Sequence, residues 1–210
     1  MSISVLIADD HAVVRAGLVS LLKGSEVNII GEAESGPEAV KKTVDLNPDA
    51  VLMDIRMVDG DGLTALEELQ TKSPTTRIVM LSTYDNPTYI ARSLALGASD
   101  YVLKGASREE IVNALQNAVK GEPPRNGSVA RPVKEAMERR EPPDDKSIPL
   151  TKREMQVLRH LALGLSNREI GQSMGISVET VKEHVQNVLR KLKVTDRTQA
   201  AVWAVKQSLV

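Results

Sequence analysis

Short apolar runs alternate with amphipathic stretches from residue 1 to residue 121. The pairs recur every roughly 20 to 25 residues, the rhythm of repeated βα units, and predict a parallel sheet covered by helices. The predicted strands are 3–9 (ISVLIAD), 27–33 (VNIIGEA), 50–54 (AVLMD), 77–82 (RIVMLS) and 100–104 (DYVLK). Helices are predicted near 12–23, 36–46, 62–72, 87–96 and 107–120. The punctuation agrees. Gly24, Gly97 and Gly121 stand where C-terminal caps belong, Pro48 and Pro74 follow helix ends, and Ser107 with Glu110 makes a capping box.

The pattern breaks after Gly121. Residues 121–149 hold six prolines and few large apolar residues, which reads as a linker. Residues 133–141 could form an amphiphilic helical turn or two, but the flanking Pro pairs favour an extended, semi-rigid tether. Beyond Leu150 the spacing is helical throughout, with helices near 151–163, 167–174, 178–192 and 197–208. Thr151 with Glu154 caps the first, Asn167 the second, and Ser177 with Thr180 the third; Gly175 supplies the tight turn after the second. The expected organisation is a domain over 1–122, a linker over 123–148 and an all-α domain over 149–210.

Charge separates the two domains. The chain has a formal charge of −1, but residues 1–122 carry −7, residues 123–148 carry +1 and residues 149–210 carry +5. An acidic front half suits cation binding, and a small basic domain suits a polyanion. With no cysteine, thiolate metal sites and disulfides are excluded. No apolar run approaches the roughly 18 residues that span a bilayer, and no leader pattern opens the chain, so a cytoplasmic protein without membrane contact is expected. No G-x-G-x-x-G or P-loop pattern points to a nucleotide enzyme.

Four of the five apolar runs end in reactive side chains: Asp9 and Asp10, Asp54, Ser82, and Lys104. In an open parallel sheet those ends form one rim, where ligands bind. Two carboxylates 4 Å apart repel by about 4 kcal/mol at an effective dielectric of 20. Three therefore require a divalent cation as well as the lysine, and with oxygen ligands that cation is Mg²⁺. A carboxylate in such a site is a nucleophile for a phosphoryl group.

The stretches VLIADDHAVVRAGL, PDAVLMDIRM, IVMLS and GASDYVLKGAS resemble the receiver domain of two-component response regulators across residues 1–122. The resemblance implies a flavodoxin-like (βα)5 fold with sheet order 2-1-3-4-5 and Asp54 as phosphoacceptor. Asp10, Asp54 and the Arg56 backbone carbonyl would bind Mg²⁺ with help from Asp9; Lys104 would hold the phosphoryl group, and Ser82 with Tyr101 would form a switch. In this likeness the Ser82 hydroxyl moves inward on phosphorylation and Tyr101 rotates into the vacated space. Val58, Thr83 and Gly105 depart from the family's usual residues without removing a charged ligand.

In the C-terminal part, Val181, Val185, Val188, Leu189 and Leu192 form one apolar stripe. Lys182, Glu183, Gln186, Arg190 and Lys193 occupy the other side, a face suited to a major groove. The run from Leu150 to Ala201 resembles the LuxR-type helix-turn-helix, and with a receiver it resembles the NarL/FixJ class of response regulators. That likeness puts Lys182, Glu183 and Gln186 against bases and makes Val202, Trp203 and Val205 a candidate dimer surface, while Arg190 and Lys193, as flanking cations on the same face, suit DNA phosphates. Gly171 stands where alanine is usual, and His160 and His184 are too far apart in pattern to be a metal pair.

The expected function is a phosphorylation-controlled transcriptional regulator, not an enzyme acting on an outside substrate. Its receiver would catalyse its own phosphoryl transfer to Asp54 and a slow autodephosphorylation. The implied partners are a sensor histidine kinase, double-stranded DNA and a second copy of the chain. Two competing readings are a Mg²⁺-dependent phosphohydrolase, and a constitutive DNA-binding protein whose receiver serves only assembly.

Overall fold

The structure, a computed structural model, describes residues 2–139, 150–207 and 209. These group into two compact units, 1–85 with 96–131 and 86–95 with 132–210. The elements run β1 (Ile3–Ala8), α1 (Ala12–Leu22), β2 (Val27–Ala33), α2 (Gly36–Leu46), β3 (Ala50–Asp54), α3 (Gly62–Lys72), β4 (Arg77–Ser82), α4 (Pro87–Ala95), β5 (Asp100–Leu103) and α5 (Arg108–Lys120). They continue as α6 (Ala130–Glu138), α7 (Lys152–Ala162), α8 (Asn167–Met174), α9 (Val178–Leu192) and α10 (Arg197–Lys206).

The five strands form one parallel sheet in the order β2-β1-β3-β4-β5. Every residue of β3 is buried, as a strand covered on both faces must be. Alternation divides the core. Ile3, Val5, Ile7, Leu52, Val79 and Leu81 pack with Leu18 and Leu22 of α1 and with Ile111 and Leu115 of α5. The intervening Leu6, Val51, Met53 and Met80 are buried as well. Leu81 of β4 pairs with Asp54, so the strand ends line up at one rim. The capping box of α5 forms as expected, with Gly121 at φ 73° closing the helix.

The linker differs from its expected form: residues 130–138 are helical, not extended. Ala130, Val133 and Met137 are buried at i, i+3 and i+7, and the Met137 carbonyl accepts a 3.1 Å hydrogen bond from Gln156 Nε2. Pro132 lies in the first helical turn, where its missing N–H has no partner to lose. The remaining linker residues 140–148 fall outside the described residues, as does residue 208 of the last predicted helix.

In the helical unit each helix has a legible start. Thr151 and Glu154 close a capping box on α7, and the Ser177 hydroxyl accepts from the Thr180 N–H on α9. The cap of α8 is Ser166, not Asn167; its hydroxyl accepts from Glu169 N while the Glu169 carboxylate returns to Ser166 N. Gly175, at φ 65°, ends that helix. Gly171 reflects packing as well as helix propensity, because a Cβ there would lie 2.8 Å from the Ile176 carbonyl oxygen.

Candidate functional site

Three charged side chains from distant stretches meet at the carboxyl rim of the sheet. Lys104, just past β5, sets its Nζ 2.9 Å from Asp54 Oδ2 and 2.7 Å from Asp9 Oδ2. Its own backbone N–H is anchored on the Ser82 carbonyl at 2.7 Å. Asp9 is fully buried and Asp54 nearly so. Asp9 Oδ1 accepts the His11 N–H at 2.9 Å. Asp10 reaches across to the loop after β3, where Oδ2 accepts the Val58 N–H at 3.0 Å, and its Oδ1 lies 2.6 Å from His11 Nδ1.

The loop carrying Asp54 is tightly built. Gly62 donates its N–H to the Ile55 carbonyl at 2.9 Å, and a Cβ at this position would sit 1.9 Å from the Asp54 carbonyl oxygen. Only glycine fits there. Arg56, two residues past Asp54, turns its backbone N–H to the Asp54 carboxylate and its guanidinium over the Tyr84 ring, 5.8 Å from the centroid.

One lysine serves two buried carboxylates, and the electrostatics record this. Burial pushes the Asp54 carboxyl above the usual carboxylate range; Lys104 opposes the shift and Asp9 adds to it. Burial would lower Lys104, but its bonds to Asp54 and Asp9 win and hold it above the usual lysine value. Ligand atoms of Asp9, Asp10 and His11 lie within 4.8 Å of one another. That group offers two carboxylates and one imidazole nitrogen and does not include Asp54; with Asp54 counted, three carboxylates against one ammonium leave the rim negative, and carboxylate oxygens match magnesium's preference for hard ligands. The residues present therefore fit a divalent ion.

Ser82 and Tyr101 are joined through a residue that the sequence reading passed over. The Ser82 hydroxyl accepts the Tyr84 N–H at 3.0 Å, and the Tyr101 hydroxyl donates to the Tyr84 carbonyl at 2.7 Å. Tyr101 is only 1% exposed, so it already lies inward.

Two further contacts were also missed. Arg15 of α1 is buried in register with Leu18 and Leu22; a charge at an inward helical position is the signal that marks it. Ser128, in the linker, donates to the buried Asp100 carboxylate at 2.7 Å, and burial raises the Asp100 carboxyl above its ordinary range.

In the helical unit, Lys182, Glu183, Gln186, Arg190 and Lys193 are all exposed. At about 100° per residue Lys182, Glu183, Gln186 and Arg190 fall within one arc of roughly 100° on α9, and Lys193 follows as its left-handed C-cap at φ 56°. Their charges are only locally engaged: Lys182 pairs with Glu179 at 2.9 Å, and Arg190 donates to Asn187 Oδ1 at 2.9 Å. The stripe of Val181, Val185, Val188, Leu189 and Leu192 points the other way, with Val181 and Val188 buried. Lys191 ties α9 to α7 through Glu154 at 2.6 Å. Although burial opposes ionisation of Glu154, Lys191 and the Thr151 contacts hold its carboxyl below the usual value. On α10, Val202 and Val205 are exposed and Trp203 is half-buried. His160 is fully buried. Its Nδ1 lies 2.7 Å from the Gln156 carbonyl, which only accepts, so Nδ1 carries the proton and Nε2 accepts from the Ser173 hydroxyl at 2.9 Å.

Comparison with known families matches residues 5–116 to the response regulator receiver domain and residues 148–204 to the bacterial regulatory proteins of the luxR family. The chain belongs to the two-component response regulators. It is 37% identical, along the full length of both chains, to the response regulator protein VraR of Staphylococcus saprophyticus and to that of Staphylococcus aureus. The solved structure of the response regulator ChrA of a heme-sensing two-component system is 32% identical, with a TM-score of 0.54 over 100% of this chain and 99% of that one. A structure of the response regulator RcsB in complex with DNA is 25% identical, with a TM-score of 0.57 over 98% of each chain. This response regulator is thus a NarL/FixJ-class protein that joins a receiver to a luxR-type DNA-binding domain for phosphorylation-controlled transcription regulation. Among the described residues no helix is long and apolar enough to cross a membrane.

Proposed function

We propose that this response regulator takes a phosphoryl group onto Asp54 from a sensor histidine kinase in a Mg²⁺-dependent step, and thereby controls its binding to double-stranded DNA as a homodimer in the cytoplasm. The observation that carries the reading is Lys104 bridging Asp9 and Asp54 at 2.7 and 2.9 Å. A lysine already on the acceptor oxygen is positioned to follow an incoming phosphoryl group.

Asp54 attacks the phosphorus of a phosphohistidine. An O–P bond forms as the P–N bond breaks, and the departing electron pair goes to the imidazole nitrogen, which takes up a proton. Lys104 exchanges its bond to the Asp54 carboxylate for one to a phosphoryl oxygen. Asp9, Asp10, Asp54 and the Arg56 carbonyl would hold Mg²⁺, which when bound supplies further positive charge for the phosphoryl oxygens. Slow attack of water on the phosphorus of the acyl phosphate breaks the O–P bond, returning free Asp54 and releasing inorganic phosphate. No outside substrate is turned over.

The response follows from the residues beside the acceptor. The Ser82 hydroxyl, released from the Tyr84 N–H, donates to a phosphoryl oxygen, and the β4–α4 loop shifts with it, displacing the carbonyl that holds Tyr101. The working division is a receiver over 1–122, a linker over 123–148 and a DNA-binding domain over 149–210. In the last, Lys182, Glu183 and Gln186 meet base edges, and Arg190 and Lys193 meet phosphates. Val202, Trp203 and Val205 form the dimer surface.

The test is incorporation of label from radiolabelled acetyl phosphate into the full chain. Wild type is expected to take up one phosphoryl group per chain only with Mg²⁺ present, and Asp54→Asn none; label on Asp54→Asn would overturn the assignment. Footprinting on genomic DNA with and without the phosphodonor tests the output, since protection independent of phosphorylation would favour a receiver used only for assembly.

A further inference from the structure

Arg15 is the one arginine on α1, and its guanidinium is buried in the core-facing register of that helix. Burying a cation costs several kcal/mol unless it is fully bonded, and here it is well bonded. Nη1 donates to the backbone carbonyl of Asp9 at 2.8 Å, Nε to Glu32 Oε2 at 3.1 Å and Nη2 to Glu34 Oε1 at 2.5 Å. The two glutamates lie at and just beyond the end of β2, so one side chain fastens α1, the β1–α1 turn and the β2 end together.

The bonded carbonyl belongs to the peptide that joins Asp9 to Asp10. The preceding peptide, Ala8–Asp9, is held too, because the Asp9 N–H donates to the Ala33 carbonyl at 3.1 Å, so Asp9 is fixed on both sides of its Cα. With its carbonyl pinned, the peptide plane cannot rotate, and its orientation sets where the Asp10 Cα and carboxylate point. Asp9 is fixed toward Lys104, and Asp10 toward Val58.

A cation so near a magnesium site would ordinarily weaken it. Glu32 and Glu34 answer that problem: two carboxylates on one guanidinium leave the cluster with a net negative charge. Arginine supplies what lysine lacks here, three donors in a rigid planar fork that reach three acceptors at once.

We propose that Arg15 is a positioning residue for the acidic rim, orienting the Asp9–Asp10 peptide through the Asp9 carbonyl, with Glu32 and Glu34 cancelling its charge so that it does not repel the divalent cation. This rests on the proposed Mg²⁺ site, and the experiment separates the two. Mg²⁺ binding to the full chain is measured by titration calorimetry, and the Mg²⁺ dependence of labelling by acetyl phosphate is measured alongside.

If wild type binds no Mg²⁺, the reading of the rim fails. If it binds, Arg15→Met is expected to raise the Mg²⁺ Kd about tenfold, the size typical of losing an outer-shell partner. The Mg²⁺ concentration for half-maximal labelling should rise in parallel, while the plateau rate falls by much less. Arg15→Lys should recover part of the affinity. The double variant Glu32→Gln with Glu34→Gln keeps the bond to Asp9 but bares the charge, and should also weaken Mg²⁺ binding, more so at low ionic strength; this variant serves should Arg15→Met fail to fold. A lowered melting temperature with Kd within twofold of wild type in a folded Arg15→Met, or in the double variant where Arg15→Met does not fold, would overturn the inference.

Discussion

The acidic rim and the exposed face of α9 are both clusters of charge, and they use it in opposite ways. At the rim, Asp9 and Asp54 are removed from water, and the partly buried Lys104 is bonded to both at under 3 Å. On α9 and its C-cap, Lys182, Glu183, Gln186, Arg190 and Lys193 stand in solvent; among the described residues Lys182 bonds Glu179 and Arg190 bonds Asn187, each within one turn. Buried charge is costly and must be placed, so the rim is held in one arrangement before any ligand arrives. Exposed charge costs little and stays available for a polyanion that provides the partner.

The sharpest way to break that contrast is Lys104→Ala. Removing the lysine leaves two buried carboxylates facing each other, a loss of about 3 kcal/mol of stability. Thermal melts in EDTA should show it, and millimolar Mg²⁺ should return part of it by standing in for the ammonium. A Lys104→Ala protein as stable as wild type in EDTA would mean that the rim charges are not committed to one another.

Within the helical domain, a substitution at a cap should behave like one at the rim, on a smaller scale. Ser166→Ala removes the acceptor for the Glu169 N–H and is expected to cost about 1 kcal/mol, read as a shift in the denaturation midpoint. Asn167→Ala should cost less, because the neighbouring serine and not the asparagine provides the cap.

His160 sharpens the comparison through pH. Burial holds its pKa below the ordinary 6.5, so the folded domain keeps it neutral while the unfolded chain takes up a proton. Its contribution to stability is complete above about pH 6.5 and is lost as pH falls from there toward the depressed folded value, at up to about 1.4 kcal/mol per pH unit. Denaturation midpoints between pH 7.5 and 5.5 should fall for wild type and change less for His160→Asn.

The smallest stability effects belong to the α9 face. Lys182→Ala and Arg190→Ala should each change stability by less than about 0.5 kcal/mol. If Arg190 meets a phosphate, its loss should lower the salt-dependence slope of DNA binding by about 1 and weaken all sequences alike. Loss of Gln186 should instead relax preference at one base pair.

Much of this was legible before the coordinates. The strands fall within a residue of their expected limits, because buried parallel strands are continuous apolar runs that end abruptly in Asp9, Asp54, Ser82 and Lys104. Other features depend on tertiary context. The Pro pairs flanking α6 favour an extended chain, while the burial of Ala130, Val133 and Met137 that supports the helix is invisible locally. Ser166 and Asn167 are both competent caps, and Glu169, three residues past the serine, decides between them. Arg15 did leave a trace, a charge in step with Leu18 and Leu22. Tyr84 left none, since it acts through main-chain atoms that every residue possesses.

That last point sets how the proposed Ser82–Tyr101 switch can be altered. The joint between Ser82 and Tyr101 is an amide on one side and a carbonyl on the other, both of residue 84, so no ordinary side-chain replacement there can cut it. Proline alone would sever the serine strand and spare the tyrosine strand. If Ser82 and Tyr101 act as the proposed switch, whatever tunes it works by displacing that short length of backbone, a lever whose fulcrum any residue but proline supplies in full.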